Sequence, residues 1–121
     1  MANYRIDTGK DGELFVANYL QQQGYTLIGQ NYRKRYGEVD LIAQKGEVLA
    51  FIEVKTRNNP LIDPAAIITL SKQKKIIKIA KEFLSTHTDL EVICRFDVAI
   101  VEVINNIKNV RYIPNAFTSL Y

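Results

Sequence analysis

The sequence predicts an α/β fold, a mixed five-stranded sheet with helices packed on its faces, in the order helix, three strands, helix, two strands. Three observations carry that reading. Two stretches repeat apolar residues at helical spacing. Five shorter segments have the length and residue types of strands. The chain has 121 residues, 47% of them apolar, which suffices for one core and one domain spanning residues 1–121.

Thr8 followed by Asp11 resembles a capping box with Asp in place of Glu, so the first helix is expected from about Gly9 to Gln23, with Gly24 just past its end. Glu13, Val16, Ala17 and Leu20 fall on one stripe of it. An acid on an apolar stripe either has a partner or metal, or reaches solvent near the helix start.

Tyr25 to Tyr36 reads as the first strand. The stretch from Gly37 to Arg57, GEVDLIAQKGEVLAFIEVKTR, then holds two apolar runs, Val39 to Ala43 and Val48 to Val54, around a break at Lys45-Gly46. That is the pattern of an antiparallel hairpin, because glycine supplies the positive φ of a tight turn. Arg57 to Leu70 reads as a loop, with Asn58, Asn59, Pro60 and Pro64.

Ser71 is the expected N-cap of a second helix running to about Ser85. Ile76, Ile77, Ile79, Ala80, Phe83 and Leu84 form its buried face, and Lys74, Lys75, Lys78 and Lys81 the opposite one. Val92 to Val103 is an apolar strand carrying Arg95 and Asp97 on one face, where they are read as pairing with each other. Asn105-Asn106 is a turn, and Ile107 to Ile113 closes the sheet.

Composition excludes several classes. A lone cysteine, Cys94, excludes an intrachain disulfide and cysteine-cluster zinc sites, and suits a packing role in a reducing compartment. The N-terminus, MANYRIDTGKDG, has no apolar signal core, and no run is long enough to span a membrane. A cytoplasmic protein without a membrane partner is expected. His87, the only histidine, reads as a surface residue at a helix end. Tyr4, Tyr32, Tyr36 and Tyr121 are scattered and read as packing residues.

Net charge is only +3, but its distribution is uneven. Five lysines and no acid lie between Pro64 and Lys81, and Arg33, Lys34 and Arg35 stand in another acid-free stretch. Such stretches are either solvated faces or contacts for a polyanion. On the second reading Arg33, Lys34, Arg35, Arg57, Lys72, Lys74 and Lys75 contact nucleic acid, and Lys72 lies where an anion also meets free backbone N–H groups.

The chemistry concentrates in the hairpin. Residues two apart in a strand share a face, so Glu53 and Lys55 project side by side, and Asp40 on the neighbouring strand can converge with them. Two carboxylates, with the Val54 carbonyl, suit a Mg²⁺ or Mn²⁺ ion whose other ligands are water and phosphate. Lys55 would then hold water or the scissile phosphate, and Glu13 would bind a second ion or orient water. Glu38 shares the Asp40 face as an accessory ligand or, more simply, a surface acid at the strand entry. The structural alternative is a salt bridge of Lys55 with Asp40 or Glu53, leaving one acid over.

GEVDLIA, FIEVKTR, SKQKK, RFDVAIV and the ending IPNAF, together with GKDGELFVANYLQQQGY, resemble the YraN-like family of small bacterial proteins over nearly the whole chain. That family is in turn similar to archaeal Holliday-junction resolvases and restriction-endonuclease-like nucleases with the PD-(D/E)xK motif. The resemblance implies a restriction-endonuclease-like core with Asp40, Glu53 and Lys55 as motif residues and Glu13 as the N-terminal-helix acid. Val39 stands in place of the motif proline, a position that varies in these nucleases. It also implies DNA as substrate, and carries a homodimer as an expectation, since a junction needs paired cuts. Three functions remain open: a metal-dependent DNA endonuclease, a non-catalytic nucleic-acid-binding module, and an interaction protein whose carboxylates only hold the hairpin.

Overall fold

Five strands form one sheet in the spatial order β1-β2-β3-β4-β5, identical to their order in the chain. The computed structural model describes residues 8–58, 68–87 and 91–118, with side chains from Asp11 onward. The elements are α1 (Thr8–Gln22), β1 (Thr26–Lys34), β2 (Gly37–Lys45), β3 (Val48–Arg57), α2 (Leu70–Ser85), β4 (Ile93–Ile104) and β5 (Ile107–Phe117). This is the expected helix-strand order. Only β3 and β4 are parallel, because α2 lies between them and returns the chain in the same direction.

The helices cover opposite faces. Val16, Ala17 and Leu20 of α1 pack with Leu41, Ala43, Ala50, Ile52, Ala99 and Val101. Ile76, Ile77, Ile79, Ala80 and Phe83 of α2 pack with Val39, Ile42, Leu49, Phe51 and Phe96. Alternation along β3, with Leu49 and Phe51 to one side and Ala50 and Ile52 to the other, is what lets one strand serve both layers. Fully burying each of these large aliphatic side chains stabilises the fold by about 1.5–3 kcal/mol.

Turn chemistry follows the sequence. Gly24 (φ 94°) ends α1, Gly46 (φ 59°) turns β2 into β3, and Asn105 (φ 52°) with Asn106 (φ 64°) turn β4 into β5. The N-cap of α2 is Thr69, not Ser71: its side-chain oxygen accepts from the Lys72 N–H at 3.2 Å, so the helix begins at Leu70. The Thr8 side chain of the expected capping box and residues 59–67 of the expected loop are not among those described, nor are Tyr4 and Tyr121. Asp11 accepts a 2.6 Å hydrogen bond from Lys108 Nζ on β5.

β5 runs beyond Ile113 to Phe117, through a register shift opposite Phe96 and Val98. The fully buried Asp97 sits at that irregularity. Its carboxylate accepts from Arg95 (2.8–3.1 Å), from the Asn115 backbone N–H (2.8 Å) and from the Tyr112 hydroxyl. Arg95 also donates to the Tyr25 hydroxyl at 2.6 Å. The pairing of Arg95 with Asp97 is therefore structural, and it fixes β5 where ordinary ladder bonds fail. Among the described residues no helix is long and apolar enough to cross a membrane.

Candidate metal and phosphodiester site

The backbone ladder between β2 and β3 runs from Lys45–Val48 to Leu41–Ile52 and stops there. The next residues, Asp40 and Glu53, stand where the strands part. Asp40 Oδ2 accepts a 2.8 Å hydrogen bond from the Val54 N–H, so a side chain replaces the main-chain acceptor. β2 also turns at this point, since Val39 packs on the α2 layer and Leu41 on the α1 layer. Strict alternation would have placed those two residues on one face.

Glu53 points to the α2 side and is 2% exposed. Lys55, two residues on, brings Nζ to 3.3 Å from Glu53 Oε2. Lys72, in the first turn of α2, pairs with the same oxygen. Glu53 Oε1 is buried with no hydrogen-bond partner. Glu13, Glu38, Thr56 and Arg57 complete the wall of a cavity of about 320 Å³ around Asp40, Glu53 and Lys55. Gly12 is what admits Glu13 to it: a β-carbon at Gly12 would collide with Thr56 Oγ1 on β3, so only glycine lets the start of α1 lie this close.

Burial pushes the Asp40 carboxyl up to about 8, and the neighbouring Glu53 and Glu13 charges add to it, against the opposing Val54 hydrogen bond. Burial alone would lower Lys72, but its hydrogen bond to Glu53 and the Glu53 charge outweigh that and hold it above the ordinary lysine value. Two carboxylates this close, one with a bare buried oxygen, fit a cation between them. Among the described residues no three His, Cys, Asp or Glu groups gather as a metal cluster. A cation here would therefore rest on Asp40 and Glu53 with main-chain and exchangeable oxygens, the donor set a hard divalent ion tolerates.

The basic residues divide. Arg57 lines the cavity and donates to the Thr56 carbonyl. Arg33 lies on the β1–β2 hairpin and pairs with Glu38 at 3.0 Å, which gives that acid a partner at the cavity rim. Lys34 sits over the Tyr32 ring, and Arg35 is at the hairpin tip. Lys74 and Lys75 are exposed on α2, with Lys75 beside Gly37, so the two basic stretches meet at the start of β2. His87 is half-buried and stacked on Phe83 at 4.0 Å, more enclosed than a surface helix end. Sequence reasoning missed the Lys72–Glu53 pair and the role of Gly12. A lysine in a helix's first turn without a nearby acid was the available signal for the former.

The model of the uncharacterised protein family UPF0102 matches residues 12–101. A UPF0102 protein of Synechococcus sp. (strain JA-3-3Ab) is 44% identical over 97 residues, covering 78% of this chain and 74% of that one. Another, from Geobacter metallireducens, is 33% identical over 122 residues and covers all of both. Among solved structures the fold is similar to Archaeoglobus fulgidus Hjc, a Holliday junction resolvase from an archaeal hyperthermophile. The TM-score is 0.59 at 18% identity, over 88% of this chain and 76% of that one.

Proposed function

The chain belongs to the uncharacterised protein family UPF0102, and we propose that it is a metal-dependent endonuclease that hydrolyses phosphodiester bonds in DNA, branched or junction DNA in particular. The observation that carries this is the buried carboxylate of Glu53, held by two lysines on one oxygen and unpartnered on the other, beside the buried carboxyl of Asp40. Branched DNA as the substrate class is drawn by analogy from the Holliday junction resolvase with a similar fold, while the claim of chemistry rests on the site.

Asp40, Glu53 and the Val54 carbonyl would hold Mg²⁺ or Mn²⁺. When bound, the ion supplies positive charge at the phosphate and makes water a better nucleophile. Asp40 is pre-oriented by its bond to Val54, which removes the need to order that carboxylate during binding. Lys55 places an ammonium where negative charge grows on the phosphate. Glu13 reaches the same cavity from α1 and can orient water. Arg57 and the lysines of α2 extend the basic surface along which a phosphate backbone would lie.

The experiment is cleavage of duplex, flap, splayed-arm and four-way-junction DNA with Mg²⁺ or Mn²⁺ at micromolar protein. Cutting that is abolished in Asp40→Ala and Glu53→Ala is the expected result. DNA that is bound but not cut under all these conditions would favour a non-catalytic module, and DNA neither bound nor cut an interaction protein.

A further inference from the structure

Glu53 Oε2 receives two ammonium groups, one from its own strand and one from α2. Glu53 by itself needs one counter-charge, so two ammonium groups on one of its oxygens exceed what that carboxylate requires. Lys55 is held there by strand geometry, two residues along the same face. Lys72 comes from another element, and its side chain is 38% exposed against 23% for Lys55. Its flexible four-carbon stem lets the ammonium move without moving the helix.

The position of Lys72 also opposes the helix. The first turn of α2 contains no acid, and a cation there faces the positive end of the helix dipole. Only a neighbouring anion makes the placement favourable, and Glu53 is that anion. A divalent cation on Asp40 and Glu53 would neutralise both ionised carboxylates. The two ammonium groups would then lose Glu53 as their counter-charge close to the N-terminal end of α2, which is an arrangement that favours an anion.

We propose that Lys72 is a tethered cation of the site, covering Glu53 while no divalent ion is bound and passing to a phosphate oxygen of the nucleic acid once the ion takes Glu53. The inference rests on the metal-site reading given above. It makes the ion and Lys72 competitors for one carboxylate, and it makes metal binding strengthen the grip on DNA through Lys72.

Titration of Mn²⁺ into the DNA-free protein followed by calorimetry tests the competition. Lys72→Met should bind Mn²⁺ about three- to fivefold more tightly than wild type, the upper part of the effect of removing one partly exposed ion pair. Lys74→Met, on the same helix but exposed, should change affinity less than about twofold and controls for net charge. Acylation of wild-type lysines mapped by mass spectrometry serves if the variant does not fold: Lys72 should label faster when Mn²⁺ is added, and Lys74 should not. Fluorescence anisotropy with labelled duplex completes the test, since Mn²⁺ should tighten DNA binding by wild type but not by Lys72→Met. Equal Mn²⁺ affinity in wild type and Lys72→Met, or unchanged Lys72 labelling, overturns the inference and leaves the metal site standing. Equal tightening of DNA binding by Mn²⁺ in both proteins overturns the transfer to phosphate. A wild type that takes up no Mn²⁺ overturns the metal-site reading itself, and this inference with it.

Discussion

Asp40 and Val54 are joined by a 2.8 Å hydrogen bond from main-chain N–H to carboxylate, just beyond Leu41 and Ile52, the last backbone pair of β2 and β3. That bond lets the strands part without leaving a buried N–H unpaired, and the gap it opens is the cavity that holds Glu53 and Lys55. The site is thus a controlled end to a ladder, and its behaviour towards metal, protons and DNA can be measured.

Metal should stabilise the folded chain. A ligand that binds only the native state at about a hundred times its Kd adds about 2.7 kcal/mol. Mg²⁺ or Mn²⁺ at millimolar concentration should therefore raise the melting temperature of wild type, and Asp40→Ala/Glu53→Ala should show no rise. An indifferent wild type would speak against the site.

Proton linkage at Asp40 gives a signed pH effect in the metal-free protein. A carboxyl raised from 3.8 to about 8 holds its proton more tightly when folded. Its contribution to stability is fully present below about pH 4 and is lost as pH rises towards 8. Between about pH 5 and 8.5, in chelator, wild type should lose on the order of 1 kcal/mol or more relative to Asp40→Asn, by urea denaturation. Parallel curves for the two proteins would contradict the assignment. Added divalent ion, which needs the ionised form, should reverse the difference.

Asp97 should matter for stability and not for chemistry. Asp97→Ala leaves Arg95 without its carboxylate and Asn115 without an acceptor, in a site where Asp97 is 0% exposed. Breaking a buried pair from one side costs about 3–5 kcal/mol, a large part of the stability of a domain this size. The unfolding midpoint should fall accordingly. A loss under about 1 kcal/mol would mean the network is dispensable.

Lys55 is the sharpest probe of catalysis. Lys55→Met keeps the apolar stem and removes one charge from the site. The variant should fold and bind metal and DNA, yet cut roughly a hundredfold more slowly. Single-turnover rates on junction and flap substrates decide this, and a rate equal to wild type would reject the role given to Lys55.

The basic surface should act without regard to sequence. Replacing Arg35, Lys74 and Lys75 with alanine should weaken binding of all DNA duplexes alike. The slope of log K against log salt should flatten by about 0.9 for each phosphate that the variant no longer neutralises. An unchanged slope would return these residues to the role of solvated charges.

Much of the fold was legible in the sequence because local rules dominate there. Apolar spacing in α1 and α2 named the residues that are buried, apart from Leu84, which is only partly so, and Gly24, Gly46 and Asn105-Asn106 marked turns because few residues tolerate positive φ. Period-two alternation put Glu53 and Lys55 side by side, as they are at 3.3 Å. Other features depend on atoms far apart in the chain. The N-cap of α2 fell to Thr69 and not Ser71, because two neighbouring hydroxyl residues look alike until the helix's orientation selects one. Alternation from Val39 would have set Leu41 on the same face, and only the parting of β2 from β3 turns the strand at Asp40. Lys72 meets Glu53 because α2 crosses back over the sheet, a contact no local pattern encodes. Sequence by itself determined which residues are apolar, which turn and which carry charge. Tertiary structure alone decided which charges share an oxygen, because that depends on where two elements end in space.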